Sequence, residues 1–280
     1  MKIIHSFNTR PLFVKVWGLD TPSRMFGMIW YYALSLAYAR RLGIKAELHA
    51  DSLGAALLAH LPYDNVYTSL DEISDELHPR IWAVGKAYAL RHAELGDVHI
   101  DGDVFIKSER CARAIFESDW DVIAQYTEPE FFYTDMAKTL APCAEHFASN
   151  GLDMQIPGAY NTGIVGFRNM AARDRYCAGW IDNALYLSRH HSKMFDDDEK
   201  LTPDLMLEQK YIAQVAREFG LKPMLLLDDF CDSMNALANK LGFQHVLTDV
   251  KFKEVDKCRE TLRRVNPEMY NSTLKICRKY

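Results

Sequence analysis

A pair of aspartates inside an apolar stretch is the feature that most constrains the fold of this chain. The apolar run Val98–Ile100 leads directly into Asp101, Gly102 and Asp103, and Val104–Ile106 then resumes the apolar pattern. Burying a bare carboxylate is costly, so the two side chains must be hydrated, paired or bound to a cation. Residues two apart on an extended strand point to one side, which lets both carboxylates face a single ion. The alternative is a strand-end turn whose aspartates cap backbone amides.

The same aspartate spacing occurs twice more, in contexts that favour ordinary surface roles. Asp119 and Asp121 flank a tryptophan just before an apolar run, where capping or solvent exposure is the simpler interpretation. Asp196 and Asp198 lie in an acidic run, which is typical of a solvated loop. Only the pair described first is enclosed by apolar segments, so that pair is the candidate for a functional site.

Short apolar runs alternate with longer helical patterns along the chain. This alternation predicts an α/β fold with a mixed, mostly parallel central sheet flanked by helices. Hydrophobic residues make up 49% of the 280 residues, which is enough to bury a large core. Neither an internal repeat nor a low-complexity linker divides the sequence, so we expect one Rossmann-like domain over residues 1–280, with residues 251–280 as a C-terminal helical tail.

Residues that favour helix ends predict several element boundaries. The expected boundaries are a stop at Gly43, caps at Asp51 and Thr202, and a helix start at Pro79. The helix capped by Thr202 is expected to run from Pro203 to about Phe219. Residues 127–152 are expected to be a loop with one short helix, and residues 159–167 a strand with a polar interruption.

Charge, hydropathy and cysteine usage exclude several classes of function. The net charge of −5 comes without a long basic run, so no nucleic-acid partner is expected. The apolar stretch from Met25 to Ala39 falls short of the roughly 20 apolar residues that a membrane span requires. Residues 1–6 do not read as a signal peptide, and the six cysteines form no C-x-x-C pair. We therefore expect reduced thiols and a cytoplasmic location.

A second candidate segment is the run Tyr160–Phe167, in which Asn161, Thr162 and Gly163 interrupt apolar residues. A polar interruption of this kind is unusual in a packed core. Asn161 can exchange hydrogen bonds with the hydroxyl groups of a ligand, and Gly163 allows a close approach to the backbone. A bulge or bend in the strand is the alternative interpretation.

A third candidate is His245, which is followed in the sequence by Lys251. A histidine can supply a third metal ligand, and a lysine can meet a phosphate group as a point charge. The alternative is a structural histidine whose hydrogen bonds are satisfied within the fold.

The order of these three segments resembles that of the retaining GT-A glycosyltransferases related to glycogenin and bacterial lipopolysaccharide galactosyltransferases. The run His99–Ile106 resembles their metal-binding strand, Tyr160–Phe167 resembles their sugar-binding strand, and His245 with Lys251 keeps the spacing of their late motif. The resemblance is one of motif order and covers residues 80–251. It implies a GT-A fold, Mn²⁺ or Mg²⁺ as cofactor, and a nucleotide-sugar as donor substrate, with a UDP-sugar as the expected donor.

The same resemblance implies roles for individual residues. The implied metal ligands are Asp101, Asp103 and His245. The implied donor-binding residues are Lys86, Asp101, Gly102, Asp103, Thr162, Gly163 and Lys251, and fold analogy alone adds Phe7 and Asn8 for the base. The implied catalytic residues are Gln209, Glu208 and Asn161. Asn161 is expected near the transferred sugar, and Gln209 or Glu208 is expected to stabilise an oxocarbenium-like centre.

Three departures from the family pattern keep other functions open. Thr248 stands where the family has glycine, Glu208 stands where it has aspartate, and no Pro-Trp pair follows Lys251. A non-catalytic GT-A-like module that binds a sugar or nucleotide is therefore the alternative. A glycoside hydrolase is disfavoured, because its two carboxylates flank the scissile bond from opposite sides whereas Asp101 and Asp103 are expected to share one side.

The acceptor is expected to be a glycan or a lipid-linked saccharide, as in the synthesis of a surface polysaccharide. Phe131 and Phe132 are candidates for shaping the acceptor side, with a role in the core as the alternative. The basic tail is able to make peripheral contact with an anionic membrane, although its interspersed acidic residues favour a solvated helix face. The sequence does not predict an oligomeric state.

Overall fold

The computed structural model describes residues 1–13, 21–197, 202–227, 234–246 and 253–278. Lys251 and Thr248 lie outside these ranges. The strands within them are β1 (Ile3–Phe7), β2 (Ala46–Ala50), β3 (Asn65–Tyr67), β4 (Val98–Ile100), β5 (Val104–Ile106), β6 (Val122–Ala124), β7 (Ile164–Phe167), β8 (Pro223–Leu225) and β9 (Phe243–His245).

The helices in the same ranges vary from short turns to long core helices. They are α1 (Thr21–Arg41), α2 (Ser52–Leu58), α3 (Gly85–His92), α4 (Glu109–Glu117), α5 (Phe131–Thr139), α6 (Ala144–Ser149), α7 (Met170–His191), α8 (Lys193–Asp197), α9 (Tyr211–Glu218), α10 (Met234–Leu241), α11 (Val255–Val265) and α12 (Pro267–Cys277). A π-helix, Leu205–Lys210, leads directly into α9.

The strands form two sheets. A seven-stranded, mostly parallel sheet has the order β3-β2-β1-β4-β7-β6-β8, and β5 with β9 forms a separate two-stranded sheet. The expected α/β fold with a mixed, mostly parallel central sheet and flanking helices is therefore confirmed. None of the helices in the described ranges has the length and hydropathy that crossing a membrane would need.

One compact unit comprises Met1–Asp71, His99–Ser118 and Ser233–Tyr280. In this first unit β1 pairs in parallel with β2, and β2 pairs in parallel with β3. Helix α1 packs against β5, α11 and α12. Its residues Ile29 and Leu36 are fully buried, so the apolar stretch that is too short for a membrane span forms a core helix instead.

A second compact unit comprises Glu72–Val98 and Asp119–Asp232. Strand β6 pairs antiparallel with β7 and parallel with β8, which makes this part of the sheet mixed. Helix α7 packs against α3, α9 and the π-helix. Tyr176 and Trp180 of α7 are fully buried, so this helix anchors the π-helix to the core of the second unit.

Two of the boundaries predicted from helix-end residues are observed. Helix α1 ends at Arg41, and Gly43 follows with a positive φ of 68°, a conformation that suits glycine. Asp51 caps α2, since its carboxylate accepts a hydrogen bond of 2.8 Å from the Gly54 N–H. These signals are reliable because a cap satisfies backbone groups within a few residues of itself.

Three other boundary predictions are wrong. The helix expected from Pro79 begins only at Gly85, after residues that form turns. Most of the expected loop at residues 127–152 is helical, with α5 and α6 inside it. Helix α5 buries only Tyr133 among its residues, so it has no apolar stripe that a sequence pattern could show.

The third error concerns the segment after Thr202, which was expected to be one α-helix from Pro203 to Phe219. Its first part is the π-helix, in which the hydrogen-bonding period differs from the 3.6-residue period that reveals an α-helix. The strand expected at residues 159–167 is also shorter than predicted. Only β7 is a strand, and Tyr160 forms an isolated bridge with Thr127.

Candidate functional site

Three of the predicted metal ligands lie together in the first unit. Strands β5 and β9 pair antiparallel with Val104 opposite His245, so the residue that precedes β5 lies beside the end of β9. The Val246 N–H donates to the Asp103 carbonyl at 3.1 Å and extends this pairing. Ligand atoms of Asp101, Asp103 and His245 all lie within 4.8 Å of one another.

The two aspartates converge through a turn and not through strand alternation. Gly102 and Asp103 lie in a turn in which the Val104 N–H donates to the Asp101 carbonyl at 2.9 Å. The premise that Asp101 and Asp103 share one side of an extended strand is therefore wrong. The chain turns between β4 and β5, and both carboxylates therefore still lie close to His245.

Gly102 is required by an aromatic neighbour that the sequence analysis did not identify. A Cβ atom added at Gly102 would lie 2.5 Å from Cε2 of Tyr32, well inside van der Waals contact. The Tyr32 hydroxyl donates to the Ser6 carbonyl, and burial raises the pKa of Tyr32 so that it remains a neutral donor. In the structure the close approach at this glycine is made by a protein ring.

The chemistry of the three side chains suits a divalent cation. The Asp103 carboxylate is buried and lies 3.6 Å from Nε2 of His245, while the Asp101 side chain is 33% exposed. Behind Asp101, His99 Nδ1 lies 3.8 Å from its carboxylate, and His99 Nε2 shares a 2.8 Å hydrogen bond with Ser6 Oγ. Two carboxylates and one imidazole form a donor set that Mn²⁺ or Mg²⁺ can use, and the outer residues can orient it.

Three predicted site residues lie together in the second unit. The Lys86 ammonium forms an ion pair with Glu208 and donates to the Thr162 carbonyl at 2.8 Å. The Thr162 hydroxyl donates to the same Glu208 carboxylate at 2.5 Å. All three residues are buried. Lys86 therefore holds the π-helix that carries Glu208, and its expected contact with a donor stays a prediction.

Asp204, one helical turn before Glu208, is a buried carboxyl group that the sequence analysis missed. One of its oxygens accepts a hydrogen bond of 3.1 Å from the Trp82 N–H, and the other has no hydrogen-bond partner within the described ranges. Burial, followed by the nearby charge of Glu208, raises its pKa well above the usual value. The spacing of Asp204 and Glu208 on one helical face was the available sequence signal.

Gln209 follows Glu208 in the π-helix and is partly exposed. The hydroxyl of Tyr133, on α5, donates to the Gln209 side-chain oxygen at 2.8 Å. The Gln209 carbonyl accepts a hydrogen bond of 2.9 Å from the Tyr160 N–H. Both the backbone and the amide of Gln209 are thereby fixed, and Tyr133 is a third residue that sequence reasoning did not single out.

Asn161 is buried and its side chain is fully engaged within the second unit. Its amide donates to Glu128 at 2.7 Å and to the Tyr126 hydroxyl at 3.2 Å, while its side-chain oxygen accepts from the Gly163 N–H at 3.2 Å. Burial raises the pKa of Glu128, and the hydrogen bonds from Asn161 and Tyr126 oppose this effect. These hydrogen bonds hold Asn161 in the segment that precedes β7, and its expected place near a transferred sugar stays a prediction.

The remaining predicted residues have separate positions. Phe7 ends β1 and packs against the Tyr32 ring, with centroids 4.9 Å apart. The Asn8 side-chain oxygen accepts a hydrogen bond of 3.2 Å from the Arg10 N–H. Lys251 lies outside the described residues. The predicted site residues therefore form two groups, one in each unit, with Phe7 connected to the first group through Tyr32.

Comparisons with known proteins add a family and one similar structure. The sequence model of a family described as "Family of unknown function (DUF6734)" matches residues 1–276. A search of curated proteins finds no match. A crystal structure of the galactosyltransferase LgtC, in complex with donor and acceptor sugar analogs, aligns over 98% of this chain and 100% of that chain, with 8% identity and a TM-score of 0.42. At this level of similarity, function has to be argued from the residues of this chain.

Proposed function

The chain belongs to the family of unknown function DUF6734, and we propose that it is a metal-dependent glycosyltransferase that takes a sugar from a nucleotide-sugar donor. The convergence of Asp101, Asp103 and His245 carries this proposal. The order of sequence motifs, which resembles that of retaining GT-A glycosyltransferases, supports it. The proposed donor is a UDP-sugar, and the proposed acceptor is a glycan or a lipid-linked saccharide.

Asp101, Asp103 and His245 would hold Mn²⁺ or Mg²⁺ together with the donor diphosphate. A divalent cation bound there would neutralise the negative charge that grows on the departing nucleoside diphosphate. The pairing of β5 with β9 keeps Asp103 and His245 at a fixed separation, since Asp103 directly precedes β5 and His245 is the last residue of β9. The partly exposed Asp101 carboxylate provides the side of the group that a phosphate can reach.

Gln209 is the proposed residue for stabilising the sugar centre during transfer. It is partly exposed, whereas Glu208 is buried and neutralised by Lys86. The hydrogen bond from Tyr133 holds the Gln209 side-chain oxygen in place before a substrate binds. A fixed dipole of this kind loses little energy in reorganising when positive charge develops on the sugar ring. Transfer with retention of configuration is part of the proposal.

The alternative is a non-catalytic module that binds a nucleotide or sugar without turnover. The burial of Lys86 and Glu208 favours it, because neither side chain of that pair faces solvent. Metal-dependent binding of UDP without release of UDP from any UDP-sugar would support this module over a transferase.

The proposal is tested by measuring UDP release from a panel of UDP-sugars with and without Mn²⁺. We expect release that depends on Mn²⁺ and falls about a hundredfold or more in Asp103→Asn, because one charged ligand is lost. Asp119→Asn is the matched control, since Asp119 belongs to a second Asp-x-Asp motif and is 92% exposed. This control should retain full activity.

Calorimetric titration of UDP with Mn²⁺ separates the possible outcomes. Binding that Asp103→Asn abolishes and Asp119→Asn retains would confirm the metal group as a nucleotide site. Absence of both UDP release and UDP–Mn²⁺ binding in the unmodified protein would overturn the proposal.

A further inference from the structure

A cavity of about 180 Å³ lies beside the two-stranded sheet in the first unit. Its walls come from α1, from the β5–β9 pair and from α11. The residues that give it its chemical character are Tyr31, Phe105, Lys107, Gln244, Glu254 and Lys257. Aromatic side chains thus line a space that also contains two lysines and one glutamate.

Within the β5–β9 pair, the side chains that line the cavity and the His245 side chain lie on opposite faces. Phe105 and Lys107 are two residues apart along the chain, and Phe105 pairs with Gln244 in the strand register, so these three side chains share the cavity face. His245 is adjacent to Gln244 and therefore points to the other face. None of Asp101, Asp103 and His245 lines the cavity, although the charge of Asp103 contributes to raising the pKa of Tyr31, which does.

Among the described residues that line the cavity, the charges of Lys107, Lys257 and Glu254 do not balance. Lys257 forms an ion pair of 3.2 Å with Glu254. The Lys107 ammonium donates to the Gln244 side-chain oxygen at 2.5 Å, and within the described ranges it forms no ion pair. Burial lowers the pKa of Lys107, and the charge of Lys257 lowers it further. One positive charge in excess therefore remains among these three ionisable groups.

The walls of the cavity are flat and apolar. The rings of Tyr31 and Phe105 are nearly parallel, with an interplanar angle of 4° and centroids 6.1 Å apart. Cys258 also lines the cavity and is buried, and burial raises the pKa of its thiol, so it contributes an uncharged surface. The volume is below the roughly 300 Å³ at which sites for drug-sized ligands begin. A ligand that fits must be small.

We propose that this cavity binds a small organic carboxylate with a flat apolar body. The carboxylate pairs with the Lys107 ammonium, which has donors to spare after its bond to Gln244. The apolar body lies against Tyr31 and Phe105. A single negative charge on the ligand matches the net positive charge of Lys107, Lys257 and Glu254 among the described lining residues. This proposal does not depend on the proposed transferase activity.

Benzoate is the test probe, and benzamide is its neutral control of nearly equal shape. Calorimetric titration of the full chain without added metal should show benzoate binding about tenfold more tightly than benzamide, because only benzoate offers a charged acceptor to Lys107. Equal affinities for the two probes, or no binding of benzoate, would overturn the proposal.

Three variants test whether benzoate binds in this cavity. Lys107→Met keeps the aliphatic stem and should remove the preference for benzoate over benzamide. Lys257→Met provides a second variant at an exposed lysine, and it should weaken benzoate selectively because the cavity then has no excess charge. Lys222→Met, at a lysine that is 65% exposed in the second unit, is the matched control and should leave both affinities unchanged.

Asp103→Asn separates this site from the proposed metal group. It should retain the preference for benzoate over benzamide while it removes Mn²⁺-dependent binding of UDP. Retention of the benzoate preference in Lys107→Met would contradict the assignment of the carboxylate to this cavity.

Discussion

Lys86 and Glu208 form an ion pair that is almost entirely removed from solvent, with side-chain exposures of 4% and 6%. The Thr162 carbonyl accepts a further hydrogen bond from Lys86, and the Thr162 hydroxyl donates one to Glu208. The pair joins α3 to the π-helix within the second unit. Its charges are therefore compensated by each other and by one neighbouring residue, and removing one partner would leave the other charge buried.

Lys86→Met should lower the free energy of unfolding by about 3–5 kcal/mol, because the Glu208 carboxylate would remain buried without its partner. The double variant Lys86→Met/Glu208→Leu should recover part of that loss, since an apolar pair leaves no bare charge. Urea denaturation measures both effects. Lys222→Met is the control at an exposed ion pair, and a loss for Lys86→Met no larger than that of the control would contradict the prediction.

Gly102→Ala should destabilise the protein by about 1–3 kcal/mol, because the added methyl group overlaps the Tyr32 ring. The same change should cost less in a Tyr32→Leu background, where the ring is absent. Thermal or urea unfolding of the two single variants and the double variant forms a mutant cycle. Additive effects of the two changes would show that Tyr32 is not the reason for glycine at this position.

His5 should make the free energy of unfolding depend on pH below 6.5. Its imidazole is fully buried between the Tyr63 hydroxyl at 2.7 Å and Ser35 Oγ at 3.1 Å, and burial lowers its pKa from 6.5 to about 3. Below pH 6.5 the unfolded chain binds a proton that the folded protein excludes, so stability falls as the pH drops towards 3. Above pH 6.5 both states are neutral, and the effect disappears.

Between pH 6 and pH 4 the free energy of unfolding should therefore fall more steeply in the unmodified protein than in His5→Asn. The difference in slope should approach about 1.4 kcal/mol per pH unit, the value for one proton. Urea denaturation at several pH values provides both slopes. Parallel pH profiles for the two proteins would exclude His5 as the group responsible.

Gln209→Ala should reduce turnover with the donor well beyond its effect on donor affinity, if Gln209 stabilises the sugar centre as proposed. Tyr133→Phe should act in the same direction but more weakly, because it removes only the hydroxyl that orients the Gln209 amide. Separate measurement of kcat for UDP release and of UDP-sugar affinity tests both variants. Unchanged turnover in Gln209→Ala would remove Gln209 from the mechanism.

The aspartates of the candidate metal group could be found from the sequence because their signal is local. Two carboxylates between apolar runs are costly to bury, whatever the rest of the fold does. The reason given for their convergence was nevertheless wrong, since Gly102 and Asp103 lie in a turn. Hydrophobic periodicity predicts a strand on either side, but it does not show where the chain folds back between them.

The contacts of Lys86 illustrate the opposite case. The family resemblance implies that Lys86 contacts the donor, and that role stays a prediction. In the structure its ammonium is held by Glu208 and Thr162, residues far away along the chain. No local pattern reports such a contact, because the partners meet only when α3 and the π-helix pack together.

The sequence by itself determined the alternation of strands and helices, the cap at Asp51 and the stop at Gly43, since periodicity and capping depend on nearby residues. It also determined that Asp101 and Asp103 need hydration, a partner or a cation. Only the tertiary structure decided that β9 pairs with β5 and brings His245 to them. That pairing depends on burial shared among many distant residues, such as the packing of α1 against β5. No short segment of the sequence shows this contribution to the free energy of folding.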